Sequence, residues 1–73
     1  MFIDKYFINE LSDKEVEFKL DQIESALTTL LDINSKSDIY SMFRGICICR
    51  YNSKNITDKQ ILNEMLKFVE YFN

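Results

Sequence analysis

The sequence contains no histidine, no proline and a single glycine, Gly45. Histidine is the commonest general base, and no serine or cysteine here has neighbours that activate a nucleophile. One glycine also excludes the common phosphate-binding loops, each of which needs several. We therefore expect a protein without enzymatic activity, cofactor or small-molecule substrate.

Long apolar runs are absent as well. No stretch approaches the roughly 18 uncharged apolar residues of a membrane span. The opening Met1-Phe2-Ile3 is followed by Asp4 and Lys5, which breaks the basic-then-apolar order of a secretory signal. We expect a cytoplasmic protein without membrane contact. Frequent lysine, isoleucine and asparagine suggest an AT-rich source, such as a phage, a plasmid or a low-GC bacterium.

Only two cysteines occur, Cys47 and Cys49. Separated by one residue, they point in different directions in a regular helix or strand, so a disulfide between them would constrain nothing. A zinc site would need carboxylates or a second chain, because histidine is missing. We expect no metal, and two unpaired, largely buried thiols.

The length of 73 residues predicts one domain, residues 1–73, with a single hydrophobic core. Apolar residues make up 47% and charged residues 29%, which is ordinary for a globular protein. A domain this small buries only about 60% of its unfolded surface, so its stability is expected to be marginal.

Two segments predict amphipathic helices with marked starts. In the first, Ser12 and Glu15 form a capping box, and apolar residues recur at steps of three and four: Val16, Leu20, Ile23, Leu27, Leu30 and Leu31. In the second, Thr57 and Gln60 form the box. The second helix is predicted over Asp58 to about Tyr71, with one face made by Ile61, Met65, Phe68, Val69 and Phe72.

The middle segment is less clear. Ser35 with Asp38, or Ser37 alone, can cap a helix that extends to Tyr51. However, the apolar run that follows Gly45 is also typical of a buried strand, so residues 45–51 stay open between helix and strand. We favour a helix from about Asp38, apolar nearly all round and therefore central in the core.

The first ten residues predict a short helix or arm, because Ile3, Phe7 and Leu11 lie at steps of four. An edge strand is the alternative, with one face made by Phe2, Asp4, Tyr6 and Ile8. The fold class expected from the whole pattern is all-α: a small antiparallel three-helix bundle with a short N-terminal helix or arm.

Charge is distributed unevenly along the chain. Residues 1–38 carry nine acidic and four basic side chains, a net of −5, whereas residues 39–73 carry three acidic and five basic, a net of +2. The acidic half either keeps the protein soluble or is presented to a basic partner, as in proteins whose negative surface charge resembles that of nucleic acid. The candidate partner-binding residues are Glu15, Glu17, Phe18, Asp21, Glu24 and Tyr71. Phe18 projects away from the apolar stripe, unless the N-terminal segment covers it.

The function expected by analogy of size and class is a small acidic protein-binding module: a stoichiometric inhibitor, an immunity or antidefence protein, or a regulatory protein. Its partner is another protein, or a second copy in a homodimer. The alternatives are a structural subunit or a helix-turn-helix DNA-binding regulator. The regulator would use five cations: Arg44, Arg50, Lys54, Lys59 and Lys67. The sequence pI of about 4.8 opposes nucleic-acid binding.

Overall fold

A computed structural model describes residues 5–72 of the chain. Over that range it contains a short 3-10 helix, Ile8–Glu10, and three α-helices: α1 (Asp13–Leu31), α2 (Lys36–Tyr51) and α3 (Asp58–Glu70). The three α-helices pack against one another, and the described residues form no strand. The all-α three-helix bundle is therefore confirmed. Within residues 5–72, the helices are too short or too polar to cross a membrane.

Both predicted capping boxes are present. The Ser12 hydroxyl oxygen accepts from the Glu15 N–H at 3.2 Å, and Glu15 Oε1 accepts from the Ser12 N–H at 2.9 Å. At the start of α3, the Thr57 hydroxyl accepts from the Gln60 N–H at 3.2 Å, and Gln60 Oε1 accepts from the Thr57 N–H at 2.9 Å. These bonds fix both helix starts by satisfying amides that have no partner within the helix.

The open question in the middle segment is settled, because residues 45–51 are helical. Ser35, rather than Ser37, is the cap, and its hydroxyl accepts from the Asp38 N–H at 3.3 Å. The helix consequently begins two residues earlier than predicted. Both α1 and α2 end at a residue in the left-handed conformation, Asp32 and Asn52, where short polar side chains are tolerated.

The expectation that the middle helix is central in the core is wrong; α3 occupies that position. Five consecutive residues, 61–65, are buried, because α1, α2 and the 3-10 helix contact α3 from different sides. The middle helix buries a single face, made by Ile39, Phe43 and Cys47, and leaves Met42, Ile46 and Cys49 exposed. Cys49 therefore contradicts the prediction of two buried thiols.

Some predicted core positions lie at the edge of the core. Leu30 is 47% exposed, although it belongs to the apolar stripe of α1. A helix covers only an apolar arc of roughly 100° or more against its neighbours, and Leu30 lies at the margin of the arc occupied by Val16, Leu20 and Leu27. Phe72, predicted on the buried face of the last helix, is 56% exposed and follows the end of α3.

The N-terminal segment packs against α3. Ile8 is buried, and Lys5 and Tyr6 both donate hydrogen bonds to the Glu70 carboxylate. Phe7 has a left-handed backbone, with φ 58°, and is 67% exposed, so its predicted place on the covering face is wrong. The described part of this segment is a 3-10 helix rather than a strand; the predictions that involve residues 1–4 lie outside the described residues.

Candidate functional site

Acidic side chains line one side of α1. They follow one another at steps of four, four and three residues: Asp13, Glu17, Asp21 and Glu24. Because such steps return to the same side of a helix, the four share a side. Asp58, in the first turn of α3, lies across a groove of about 520 Å³ that Asp13 and Glu17 also line. These five residues are called the acidic face below.

The charges of the acidic face are close enough to affect one another. Glu24 is partly buried, and this burial, together with the negative charge of Asp21, raises the pKa of its carboxyl; Asp58 adds to the effect. Lys36, at the start of α2, acts in the opposite direction and forms a 2.7 Å ion pair with Asp21. The like charges are therefore only partly compensated within the chain.

Hydrogen bonds hold the acidic face against the rest of the bundle. The Tyr40 hydroxyl donates to Asp58 Oδ1 at 2.7 Å, which joins α2 to the first turn of α3. This bond, with partial burial, raises the pKa of Tyr40. Lys59 lines the same groove, yet its ammonium donates to the Asn9 carbonyl oxygen at 3.2 Å. Lys59 is thus engaged by a group outside the acidic face, whereas Lys36 pairs with Asp21 within it.

Phe18 lies on the outer side of α1 and is 64% exposed. Two positions from Val16 and from Leu20, it points away from the core. The alternative that the N-terminal segment covers Phe18 is wrong for Tyr6 and Phe7, and Phe2, the third residue considered for this role, lies outside the described residues. Phe18 instead lines a shallow surface depression with Lys14, Glu15 and Lys19. An aromatic side chain surrounded by charge is a common anchor in protein interfaces.

The six predicted partner-binding residues divide into three groups. Glu17, Asp21 and Glu24 belong to the acidic face, and Phe18 lies beside it on the same helix. Glu15 is exposed, but it closes the capping box, and the bond from the Ser12 amide lowers its pKa. Tyr71 is 92% exposed at the opposite end of α3 from Asp58, about 20 Å away along the helix. It therefore lies apart from the others.

Sequence reasoning missed two members of the acidic face. Asp13 precedes Glu17 by four residues, so its position on the same side of α1 was readable from the spacing. Asp58 gave no such signal, because the packing of α3 against α1 brings it there.

A separate polar cluster is buried between α2 and α3. Glu64 is 4% exposed, and its carboxylate receives Arg50 at 3.0 Å and Lys67 at 3.3 Å. The Tyr51 hydroxyl donates to the same carboxylate at 3.4 Å. Next to it in sequence, Asn63 is fully buried. Neither its amide nitrogen nor its oxygen makes a hydrogen bond of ordinary geometry within residues 5–72, although the amide is close enough to the Tyr51 hydroxyl to oppose the rise in the pKa of Tyr51 that burial causes.

The two thiols differ in environment. Cys47 is buried, its thiol donates to the Gln60 carbonyl oxygen at 3.6 Å, and burial raises its pKa to about 11. Cys49 is exposed on the opposite side of α2. The part of the chain described here contains no group of three or more acidic or cysteine side chains placed to hold a metal ion.

No protein-family model, curated protein or solved structure matches this chain.

Proposed function

We propose that the chain is a small acidic protein-binding module that acts by occupying a positively charged surface of another macromolecule. The observation that carries the proposal is the acidic face: five carboxylates from α1 and α3 on one side of the bundle, with Lys36 as its one ion-paired cation among the described residues. Such a module works by stoichiometric binding, as inhibitors, immunity or antidefence proteins and regulatory proteins do.

The geometry of the acidic face suits a partner whose cations form a row. Successive carboxylates at four-residue steps are about 6 Å apart along α1. A regular line of negative charge on a rigid helix attracts basic groups over roughly 8–10 Å at physiological salt and orients the approaching partner. Phe18, exposed next to Glu17, adds apolar contact area beside this line. Charge provides the orientation, and the aromatic ring provides buried area.

A DNA-binding regulator is less well supported. Three of its five candidate cations are engaged within the bundle: Arg50 and Lys67 by Glu64, and Lys59 by the Asn9 carbonyl oxygen. The connection between α2 and α3 spans residues 52–57, longer than the three or four residues of a helix-turn-helix. No comparable observation favours this function.

The test is capture of partners from a lysate of the source cell by the immobilised full chain. The double variant Glu17→Gln/Asp21→Asn is expected to lose the partner. A matched control, Glu10→Gln/Asp32→Asn, makes the same charge change away from the acidic face and is expected to retain it. Capture by the wild type is also expected to weaken as salt is raised, because screening shortens the reach of surface charge. Equal capture by both variants contradicts the proposal.

A further inference from the structure

Gly45 occupies a helical position that the single chain gives no reason for. It lies in the interior of α2, where glycine is less favourable than alanine. Its φ is not positive, and a β-carbon there would meet no atom of residues 5–72 within 4 Å, apart from its chain neighbours and its own helix backbone. Neither backbone strain nor close packing within the bundle explains this glycine.

The surface around Gly45 is mostly apolar, and the one charged residue among residues 5–72 that lines the same depression is Arg50, which is paired with Glu64. Met42 and Ile46 are each 38% exposed, and Cys49 is exposed on the next turn. These four residues recur at steps of three and four, so they form one continuous strip, here called the outer face of α2. Charged residues lie at both ends of α2: Asp38 in its first turn, and Arg50 in its last turn.

We infer that the outer face of α2 binds the same face of a second copy of this chain, with the two α2 helices antiparallel and crossing at Gly45. The two-fold axis of this dimer passes between positions 45 and 46. Ile46 of each copy then lies over Gly45 of the other, and Met42 of each copy lies beside Cys49 of the other. The strip is therefore complementary to itself: an exposed branched side chain stands next to the gap that glycine leaves. Glycine at a crossing allows two helix backbones to approach closely.

Charge selects the antiparallel arrangement. Antiparallel helices bring Asp38 of each copy toward the last turn of α2 in the other, where Arg50 lies, whereas parallel helices would set Asp38 against Asp38. The contact also leaves the acidic face of each copy uncovered, which limits repulsion between chains of net charge −3. One short helix per copy gives an interface at the small end of the range, so the dimer is weak and reversible. The inference does not depend on the proposed function.

The first test is the oligomeric state of the full chain by sedimentation, from micromolar to millimolar concentration. The wild type is expected to dimerise, and Ile46→Glu to remain monomeric. Leu30→Glu is the matched control, since it puts the same charge on a half-exposed leucine of α1 and is expected to leave the dimer intact. Circular dichroism checks that both variants stay helical. A wild type that is monomeric throughout, or a dimer unaffected by Ile46→Glu, overturns the inference; so does an outer face that binds only a different protein.

The second test adds one methyl group at position 45, which is expected to have opposite effects on the monomer and on the dimer. In the dilute monomer, Gly45→Ala is expected to raise the unfolding midpoint, because alanine favours the helix and has free space. In the dimer, the added methyl holds the backbones apart, and the dissociation constant is expected to rise at least tenfold. A Gly45→Ala chain that is more stable yet dimerises as well as the wild type overturns the crossing at Gly45.

The third test is oxidative cross-linking. Met42→Cys places a thiol beside Cys49 of the second copy, so it is expected to form a covalent dimer under conditions in which the wild type does not. Within one chain the two positions are about 10 Å apart along the helix, beyond the roughly 7 Å limit for a disulfide. Adding Cys49→Ser is expected to abolish the cross-link. A wild type that cross-links through Cys49 alone contradicts the antiparallel arrangement.

Discussion

Arg50 Nε lies 3.0 Å from Oε1 of Glu64, whose side chain is only 4% exposed. The Arg50 side chain is 57% exposed, so the pair joins a buried carboxylate to a side chain that keeps contact with water. Lys67 and Tyr51 reach the other oxygen of the same carboxylate. This arrangement stabilises a charge that would be costly to bury alone.

Removing the Arg50 guanidinium is expected to destabilise the fold, because the buried Glu64 carboxylate loses a partner. Arg50→Met should lower the free energy of unfolding by about 2 kcal/mol, because a charge-assisted hydrogen bond to a buried carboxylate is lost while Lys67 remains. Urea denaturation measures the change. The control is Arg44→Met, an exposed arginine of the same helix, for which a change within about 0.5 kcal/mol is expected. Equal effects of the two substitutions would contradict the role given to Arg50.

A substitution of Asn63 is expected to change stability in the opposite direction. Since the buried Asn63 amide makes no hydrogen bond of ordinary geometry within residues 5–72, only a contact near the Tyr51 hydroxyl, Asn63→Leu removes a poorly compensated desolvation cost and is expected to raise stability by about 1 kcal/mol. Asn63→Asp, which puts a charge at the same place, is expected to destabilise strongly. Thermal denaturation of both variants at low concentration is the measurement. A destabilised leucine variant would show that the amide has a partner.

The helix caps are expected to contribute measurably. Ser12→Ala and Thr57→Ala should each lower the free energy of unfolding by about 1 kcal/mol, because each leaves a terminal amide without its acceptor. Ser25→Ala, an exposed serine in the interior of α1, is the control and should be neutral or slightly stabilising. If the cap variants behave like the control, the capping boxes contribute nothing to stability.

The Ser12 cap also predicts a pH dependence. The pKa of Glu15 is lowered in the folded chain, first by the hydrogen bond from the Ser12 amide. The Glu15 carboxylate therefore contributes fully to stability when the pH is above its ordinary pKa of 4.5. This contribution is lost as the pH falls below 4.5 and through the lowered pKa of the folded chain. Glu15→Gln keeps an acceptor for the box but does not titrate. The stability of this variant is expected to fall less steeply between neutral and acid pH, as followed by denaturant titrations.

The two cysteines are expected to react at different rates. With a pKa of about 11, very little of Cys47 is thiolate near neutral pH, and its sulfur is also buried. One thiol per chain, Cys49, should therefore react quickly with a thiol reagent, and the second should react only as fast as the bundle opens. Cys49→Ser is expected to remove the fast phase. A fast phase that survives this substitution would place Cys47 in solvent.

Local sequence patterns sufficed for α1 and α3 and their starts, but left the middle segment open between two caps and between helix and strand. Ser12 and Thr57 each form a capping box that closes within one turn, so these starts are readable without the rest of the chain. Burial was harder, because it depends on how many neighbours a helix has. The run that ends at Cys49 looked central, yet Asn63 and Glu64, two polar residues, occupy the buried middle of α3.

The part of the acidic face that lies on α1 could be predicted from the sequence. Glu17, Asp21 and Glu24 share a side of α1 by spacing alone, whereas Asp58 joins them through packing between helices. Tyr71 was included for its exposure, but it lies at the end of α3 opposite Asp58 and therefore does not join the acidic face.

The central helix of the bundle is also the last of the three to be synthesised. When α1 and α2 have been synthesised, residues 61–65, on the helix that packs against both, are still missing, so apolar side chains such as Leu27 and Phe43 lack part of their cover. Folding is therefore expected to wait until α3 leaves the exit tunnel, rather than to proceed from the N-terminus helix by helix. A chain truncated before Asp58 would present this unprotected apolar surface to chaperones.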